Sequence, residues 1–145
     1  VAPHSEAYRE ELERLARSLG LSACVEFTGF VSDAELARLY RESDVFLAAS
    51  AHEGFCVPLL EAMRYDLPVV AYAAPHSAVA ETMAQAGIVF YRMEHPAVAE
   101  MLLRVLRDQG LRKGIIEKQR ERIRSHENRA IFEDNLYAAL KEAVI

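Results

Sequence analysis

Apolar residues in this chain recur at two periods that alternate along its length. From Ser5 to Leu19, the residues Leu12, Leu15, Ala16 and Leu19 stand at helical spacing among charged ones, and Gly20 follows as a stop. Val25 to Thr28 reads as a short strand that ends in Gly29. Residues 33–42 return to helical spacing through Leu36, Leu39 and Tyr40, with Ser32 or Asp33 as the cap. Val45-Phe46-Leu47-Ala48-Ala49 predicts a buried strand, and after a loop a short apolar helix starts near Pro58 and runs through Leu59 to about Tyr65. Pro68 to Tyr72 and Ile88 to Tyr91 give two more strands. Pro96 to Arg107 is a helix with Val98, Met101, Leu102 and Val105 on one side. The remainder reads as wholly helical, and Ile131, Leu136, Leu140 and Val144 mark a last amphipathic helix. Such alternation predicts an α/β fold, a parallel sheet with helices on both faces and a helical C-terminal tail.

The chemistry concentrates where the strand at 45–49 gives way to the helix at Pro58, in Glu53-Gly54-Phe55-Cys56-Val57-Pro58-Leu59-Leu60-Glu61. Proline suits the first helical position because its missing N–H costs nothing there. The N–H groups at a helix start make a seat for phosphate, and Gly54 lets the backbone turn or approach a ligand. Glu53 lies at the mouth of the loop and Glu61 in the expected first turn, so two carboxylates flank an anion site. Carboxylates are poor partners for phosphate but accept well from sugar and ribose hydroxyls. Taken alone, the residues leave a plainer reading open: Glu61 complementing a helix dipole, Glu53 solvated, Gly54 an ordinary turn glycine.

The spelling of the run narrows the choice. Glu53 to Met63 resembles the E-x7-E signature of the group 1 (family four) retaining glycosyltransferases, typically E-G-F-G-x-P-x-x-E-A-M. Val25-Glu26-Phe27-Thr28-Gly29-Phe30-Val31-Ser32-Asp33, Glu35-Leu36, Leu39-Tyr40 and Ser43-Asp44-Val45-Phe46-Leu47 resemble the family's preceding blocks. Leu67-Pro68-Val69-Val70-Ala71, Glu81-Thr82 and Ala86-Gly87 resemble those that follow, so the likeness covers about residues 5–107 in order.

The resemblance implies a Rossmann-like sheet forming the later part of the C-terminal domain of a GT-B fold. Residues 1–107 would be a partial nucleotide-sugar-binding domain, and 108–145 a helical segment of the same domain. The implied reaction is hexosyl transfer from a nucleotide-diphosphate sugar, UDP- or GDP-linked, to a glycan or lipid-linked acceptor with retention of configuration. By position, Glu53 would contact sugar hydroxyls near the reacting carbon and count as the catalytic residue, while Glu61 would hold the ribose hydroxyls. Backbone groups of Gly54, Phe55, Cys56 and Val57 would follow the sugar and diphosphate, and Val31 would meet the nucleobase. Neither metal nor cofactor is implied. The N-terminal domain and two strands that precede Ser5 in the family would be missing. In the sheet order 3-2-1-4-5-6, those strands sit between 25–28 and 45–49, which leaves a gap and implies either a piece of a longer polypeptide or strands supplied from elsewhere.

Departures from the pattern mark points of interest. Cys56 replaces the usual glycine, and its Cβ narrows the approach to a ligand. Asp66 stands where a glycine is typical and is expected at positive φ, which Asp tolerates better than most residues. His52 and His76 read as loop histidines, and neither His52 nor Arg64 is expected to replace the family's upstream cations.

Composition adds limits. A chain of 145 residues that is 52% apolar and 27% charged is one domain's worth of globular protein. No signal peptide and no run near the roughly 18 apolar residues of a membrane span is visible, so a cytoplasmic protein is expected. Cys24 and Cys56 have no metal-ligand spacing and read as partly buried thiols. Residues 104–129 hold nine Lys/Arg against four acids in a chain of net charge −5. That segment reads as a solvated helical face, or else as a peripheral contact for an anionic membrane surface or an acidic partner. The acidic balance and the lack of interleaved aromatics speak against nucleic acid. Two other classes compete: a non-catalytic nucleotide-binding or regulatory half-domain, and a flavodoxin-like or response-regulator-like module. The latter wants an acid after a strand, and Asp44 precedes one.

Overall fold

The computed structural model describes the backbone of residues 3–52 and 54–143, and the side chains of 6–52 and 54–128. The chain forms two compact units, Val1–Leu36 and Ala37–Ile145.

In the first unit, helix α1 (Pro3–Ser18) ends where Gly20 takes a left-handed φ of 71° and the Leu21 N–H donates back to the Ala16 carbonyl at 2.8 Å. Glycine adopts that conformation without a Cβ penalty, which is why the helix stops there. Its apolar stripe is only partly covered, with Leu15 and Leu19 52% and 62% exposed. Residues 25–28 are not the expected strand. A strand exists by pairing its backbone, and among the described residues this segment belongs to no sheet; Val25 and Phe30 stand exposed. Helix α2 (Asp33–Glu42) begins in this unit and continues from Ala37 as part of the second, and Ser32 caps it by accepting from the Glu35 N–H at 3.3 Å.

In the second unit, strands β1 (Phe46–Ala48), β2 (Val69–Tyr72) and β3 (Ile88–Phe90) form a parallel sheet in the order β1-β2-β3. Phe46 faces Val69 in register, and Val70 faces Ile88. The central strand is the most apolar, and Val69, Val70 and Ala71 are fully buried. Between the strands lie helices α3 (Val57–Arg64) and α4 (Val79–Met83), and after them α5 (His95–Arg107) and α6 (Gln109–Ala143). Val70 and Phe90 pack with Val98 and Val105 of α5 and Ile115 of α6. Val69 and Ala71 point to the opposite face by the period of a strand, and α3 packs on β1 and β2. Sequence patterning did not anticipate α4. Its five residues are too few for a helical period to show.

Helix α6 is one continuous 35-residue element rather than a basic segment followed by a separate last helix. Of that last stripe, the side chains of Ile131, Leu136 and Leu140, and Val144 entirely, lie outside the described residues. Part of the basic run is spent on bonds to other elements of the chain. Arg120 makes a two-bond pair with Asp66 at 2.8 and 2.6 Å, and Arg122 donates to the Thr82 carbonyl at 2.9 Å. The Arg120 guanidinium holds the Asp66 carboxyl below its usual range. Asp66 adopts φ 55°, the conformation expected where a glycine is typical. Just before these arginines, fully buried Gln119 accepts from the Val69 N–H at 3.1 Å and donates to the Leu67 carbonyl at 2.8 Å, tying α6 to the start of β2.

Candidate functional site

Strand β1 ends at Ala48 and α3 begins at Val57, so the loop 49–56 leaves the C-terminal end of a parallel strand, where α/β sheets bind ligands. Within it, the Ser50 hydroxyl donates to the His52 carbonyl at 3.2 Å and accepts from the His52 N–H at 3.3 Å. Glu53 lies outside the described residues. Gly54 and Phe55 are exposed, and Cys56 is buried at the N-cap of α3.

The backbone turn falls on Cys56 rather than on Gly54. Cys56 has φ 54° and ψ 63°, a left-handed conformation, whereas a Cβ built on Gly54 meets nothing within 4 Å. For a residue with a side chain that conformation costs about 1–2 kcal/mol. A glycine at position 56 would adopt it freely, which gives a physical reason for the glycine usual there. The buried thiol brings bulk to the loop in exchange. Cys24 is exposed, contrary to the expectation of partial burial, because the segment around it packs on little.

Helix α3 starts at Val57, one residue earlier than the proline suggested. Pro58 has no N–H, and that of Leu59 is given to the Cys56 carbonyl at 3.0 Å. The helix start therefore offers an anion fewer amides than its position implies, and the loop carries more of that duty. The earlier start also moves Glu61 beyond the first turn, which contains no acid. Complementing the helix dipole thus no longer explains Glu61. Instead the Tyr40 hydroxyl donates to Glu61 Oε2 at 3.0 Å.

Tyr40 is 7% exposed, stacked on Tyr65 at 5.4 Å between ring centroids and tilted against Phe46 at 5.9 Å. Burial first, and then the bond and charge of Glu61, push its phenol well above the ordinary tyrosine range. Tyr40 is therefore a neutral donor at any working pH, and it fixes one Glu61 oxygen. A carboxylate has about four acceptor positions, so Glu61 retains capacity for two neighbouring hydroxyls. Sequence patterning counted Tyr40 only as a core residue of α2. A lone polar atom on an aromatic at an apolar position was the one available signal.

The loop is held from the other side as well. Fully buried Thr82 in α4 donates from its hydroxyl to the Phe55 carbonyl at 2.7 Å, and the Phe55 ring lies 5.7 Å from that of His126. The structure thus brings Gly54 to Val57 and Glu61 together, while Val31 belongs to the N-terminal unit. His76 sits in a turn at φ 68°, and Arg64 pairs with Glu127 at 3.3 Å. Among the described residues no group of three or more His, Cys, Asp or Glu is placed to hold a metal ion.

Comparison with known proteins gives a family and a fold. The family described as glycosyl transferases group 1 matches residues 5–122. An uncharacterized glycosyltransferase of Methanocaldococcus jannaschii is 33% identical over 113 residues, covering 78% of this chain and 29% of that protein. The O-antigen chain mannosyltransferase B of Escherichia coli is 32% identical over 89 residues, 61% of this chain and 23% of that protein. Among solved structures, the C-terminal domain of a glycosyl transferase group 1 family protein from Francisella tularensis superposes with a TM-score of 0.71 at 27% identity, covering 86% of this chain and 64% of that one. The chain spans less than a third of the length of these curated relatives.

Proposed function

Since this chain belongs to the group 1 glycosyltransferases and folds as the later part of the C-terminal domain of a GT-B enzyme, we propose that it supplies the donor half of a retaining glycosyltransferase. The donor in this reading is a nucleotide-diphosphate sugar, UDP- or GDP-linked. Its ribose hydroxyls donate to Glu61, its diphosphate and sugar follow the backbone of Gly54 to Val57, and Glu53 meets the sugar near the reacting carbon. The observation that carries the reading is the Glu61 carboxylate, oriented by a buried tyrosine one helical turn beyond a strand-end loop. A surface acid serving only solubility has no use for such a donor.

Transfer breaks the bond from the anomeric carbon to the diphosphate through a transition state that resembles an oxocarbenium ion. The protein's part is to hold the sugar and stabilise charge on the leaving group, which loop amides and a helix start can do. No cofactor enters this scheme. The acceptor is a glycan or lipid-linked glycan, in line with the O-antigen mannosyltransferase among the relatives, and an N-terminal domain of the same polypeptide faces this one across the cleft. The test is incubation of the full-length protein with a panel of nucleotide sugars and oligosaccharide acceptors, with the product anomer read by NMR. Transfer with retention, abolished in Glu53→Gln, is expected. Inversion, or a folded protein that binds nucleotide but never transfers, would overturn it, the latter in favour of a regulatory domain.

A further inference from the structure

Thr82 places a hydroxyl where the core has no need of one. The residue is fully buried in α4, and its hydroxyl is directed out of the core to the Phe55 carbonyl at 2.7 Å, in the loop that carries the candidate donor contacts. Its own backbone is held in turn by α6, since Arg122 donates from Nε to the Thr82 carbonyl at 2.9 Å and from Nη2 to the Glu81 carbonyl at 3.4 Å. Neither residue drew attention as a functional position.

A peptide unit is planar, and the described residues contain no cis bond. Fixing the Phe55 carbonyl therefore fixes the whole plane that joins Phe55 to Cys56. The next residue is the one held at φ 54°. A side-chain-bearing residue persists in that conformation only where its surroundings over-determine it. The bond from Thr82 holds it from the N-terminal side, and the Leu59 N–H to the Cys56 carbonyl, at 3.0 Å, holds it from the C-terminal side.

We infer that Thr82, anchored by Arg122, is a positioning residue that sets the backbone of the 54–57 loop for the diphosphate and sugar of the donor. This rests on the donor-site reading above, and it separates two duties within that site. Glu61 holds the ribose, independently of Thr82. The loop holds the diphosphate, through Thr82.

The full-length protein is titrated calorimetrically with UDP and GDP and with UMP and GMP, in wild type, Thr82→Val, Thr82→Ser and Glu61→Ala, and amide exchange of residues 54–57 is followed by mass spectrometry. Thr82→Val is expected to weaken the preferred nucleoside diphosphate by about tenfold, the worth of one hydrogen bond, and the monophosphate much less. Exchange at 54–57 rises in that variant. Thr82→Ser keeps the hydroxyl and restores both readouts, whereas Glu61→Ala weakens diphosphate and monophosphate alike. Wild-type affinity and exchange in Thr82→Val, with binding still lost in Glu61→Ala, would overturn this inference and leave the donor site standing. Thr82→Ser as weak as Thr82→Val would also overturn it, since methyl packing and not the hydroxyl would then be responsible. A folded wild type that binds none of the nucleotides removes the donor site and this inference together. Should Thr82→Val fail to fold, Arg122→Gln carries the test: raised exchange at 54–57 supports the relay, and unchanged exchange and affinity refute it.

Discussion

Replacing Tyr40 by Phe deletes a single oxygen from a ring whose packing stays as it is, and so isolates the bond to Glu61. The ring is 7% exposed and its hydroxyl lies 3.0 Å from Glu61 Oε2. A hydrogen bond to a charged acceptor is worth about 1.5–3 kcal/mol, but Glu61 is only half-buried and water can replace part of it, so the expected loss at pH 7 is about 1 kcal/mol. For a chain of this size that is a fall in melting temperature of about 2–4 °C. The pH dependence then identifies the cause. Burial and the Glu61 carboxylate raise the Tyr40 phenol above its usual range. Its contribution is complete below the unfolded value, near 10, and is lost as pH rises from there toward the folded value. In that window the unfolded chain has released the proton and the folded chain retains it, so wild-type stability falls by up to about 1.4 kcal/mol per pH unit from this group alone. Phe has no such group. Urea denaturation of both proteins in steps from pH 7 to 11 should show the wild-type advantage shrinking above pH 10 and vanishing within about one unit. An advantage that stays constant or widens to pH 11 would refute the assignment of Tyr40 as the buried neutral donor to Glu61.

Three other perturbations address the scaffold. Gln119→Leu leaves the Val69 N–H and the Leu67 carbonyl without their buried partner and should cost about 2–6 kcal/mol in urea denaturation, at about 1–3 kcal/mol for each orphaned group; a loss below about 1 kcal/mol would mean that α6 is not fastened there. Gly87→Ala puts a Cβ 2.4 Å from Met83 Cε and 2.7 Å from the Val69 carbonyl oxygen at φ 157°, and should destabilise by about 1–3 kcal/mol; an unchanged melting temperature would contradict the close fit of Gly87 against Met83 and the Val69 carbonyl. Cys56→Gly exchanges a strained left-handed residue for one that adopts the conformation freely, offset by lost thiol burial, so stability should stay within about 1 kcal/mol of wild type. Cys56→Val should fall below it by thermal melting, and the reverse order would show that position 56 is not held at positive φ.

The strands 46–48, 69–72 and 88–90 were legible because each is a short apolar run between turn signals, and the central one is buried on both faces. Helices α1, α2 and α5 were legible from their period and their stops. Residues 25–28 were misread because a strand is a property of a pair, and an apolar run carries no notice that its partner is elsewhere. Helix α4 was too short to show a period, and α6 is continuous across a segment whose composition changes from basic to mixed. At the site, the order of residues from Gly54 to Glu61 indicated the loop and the helix. The single-residue shift in helix start, which changes the meaning of Glu61, did not show. Tyr40, Thr82 and Arg122 were hidden for a common reason: each acts on the loop, on α3 or on α4 from a distant part of the chain, as Tyr40 does across 21 positions and Arg122 across 40. Asp66 was the converse case, where a departure from a family glycine correctly announced a positive φ.

The measurement that bears most directly on the central claim is calorimetric titration of UDP, GDP and ADP into the full-length protein and into its Glu61→Ala variant. Micromolar binding of one of the three, lost in Glu61→Ala while the variant keeps its melting temperature, is the expected result, and it would also name the donor base. A folded wild type that binds none of them, or a Glu61→Ala variant that binds as tightly as wild type, would contradict the assignment of the 54–61 segment as a nucleotide-sugar site.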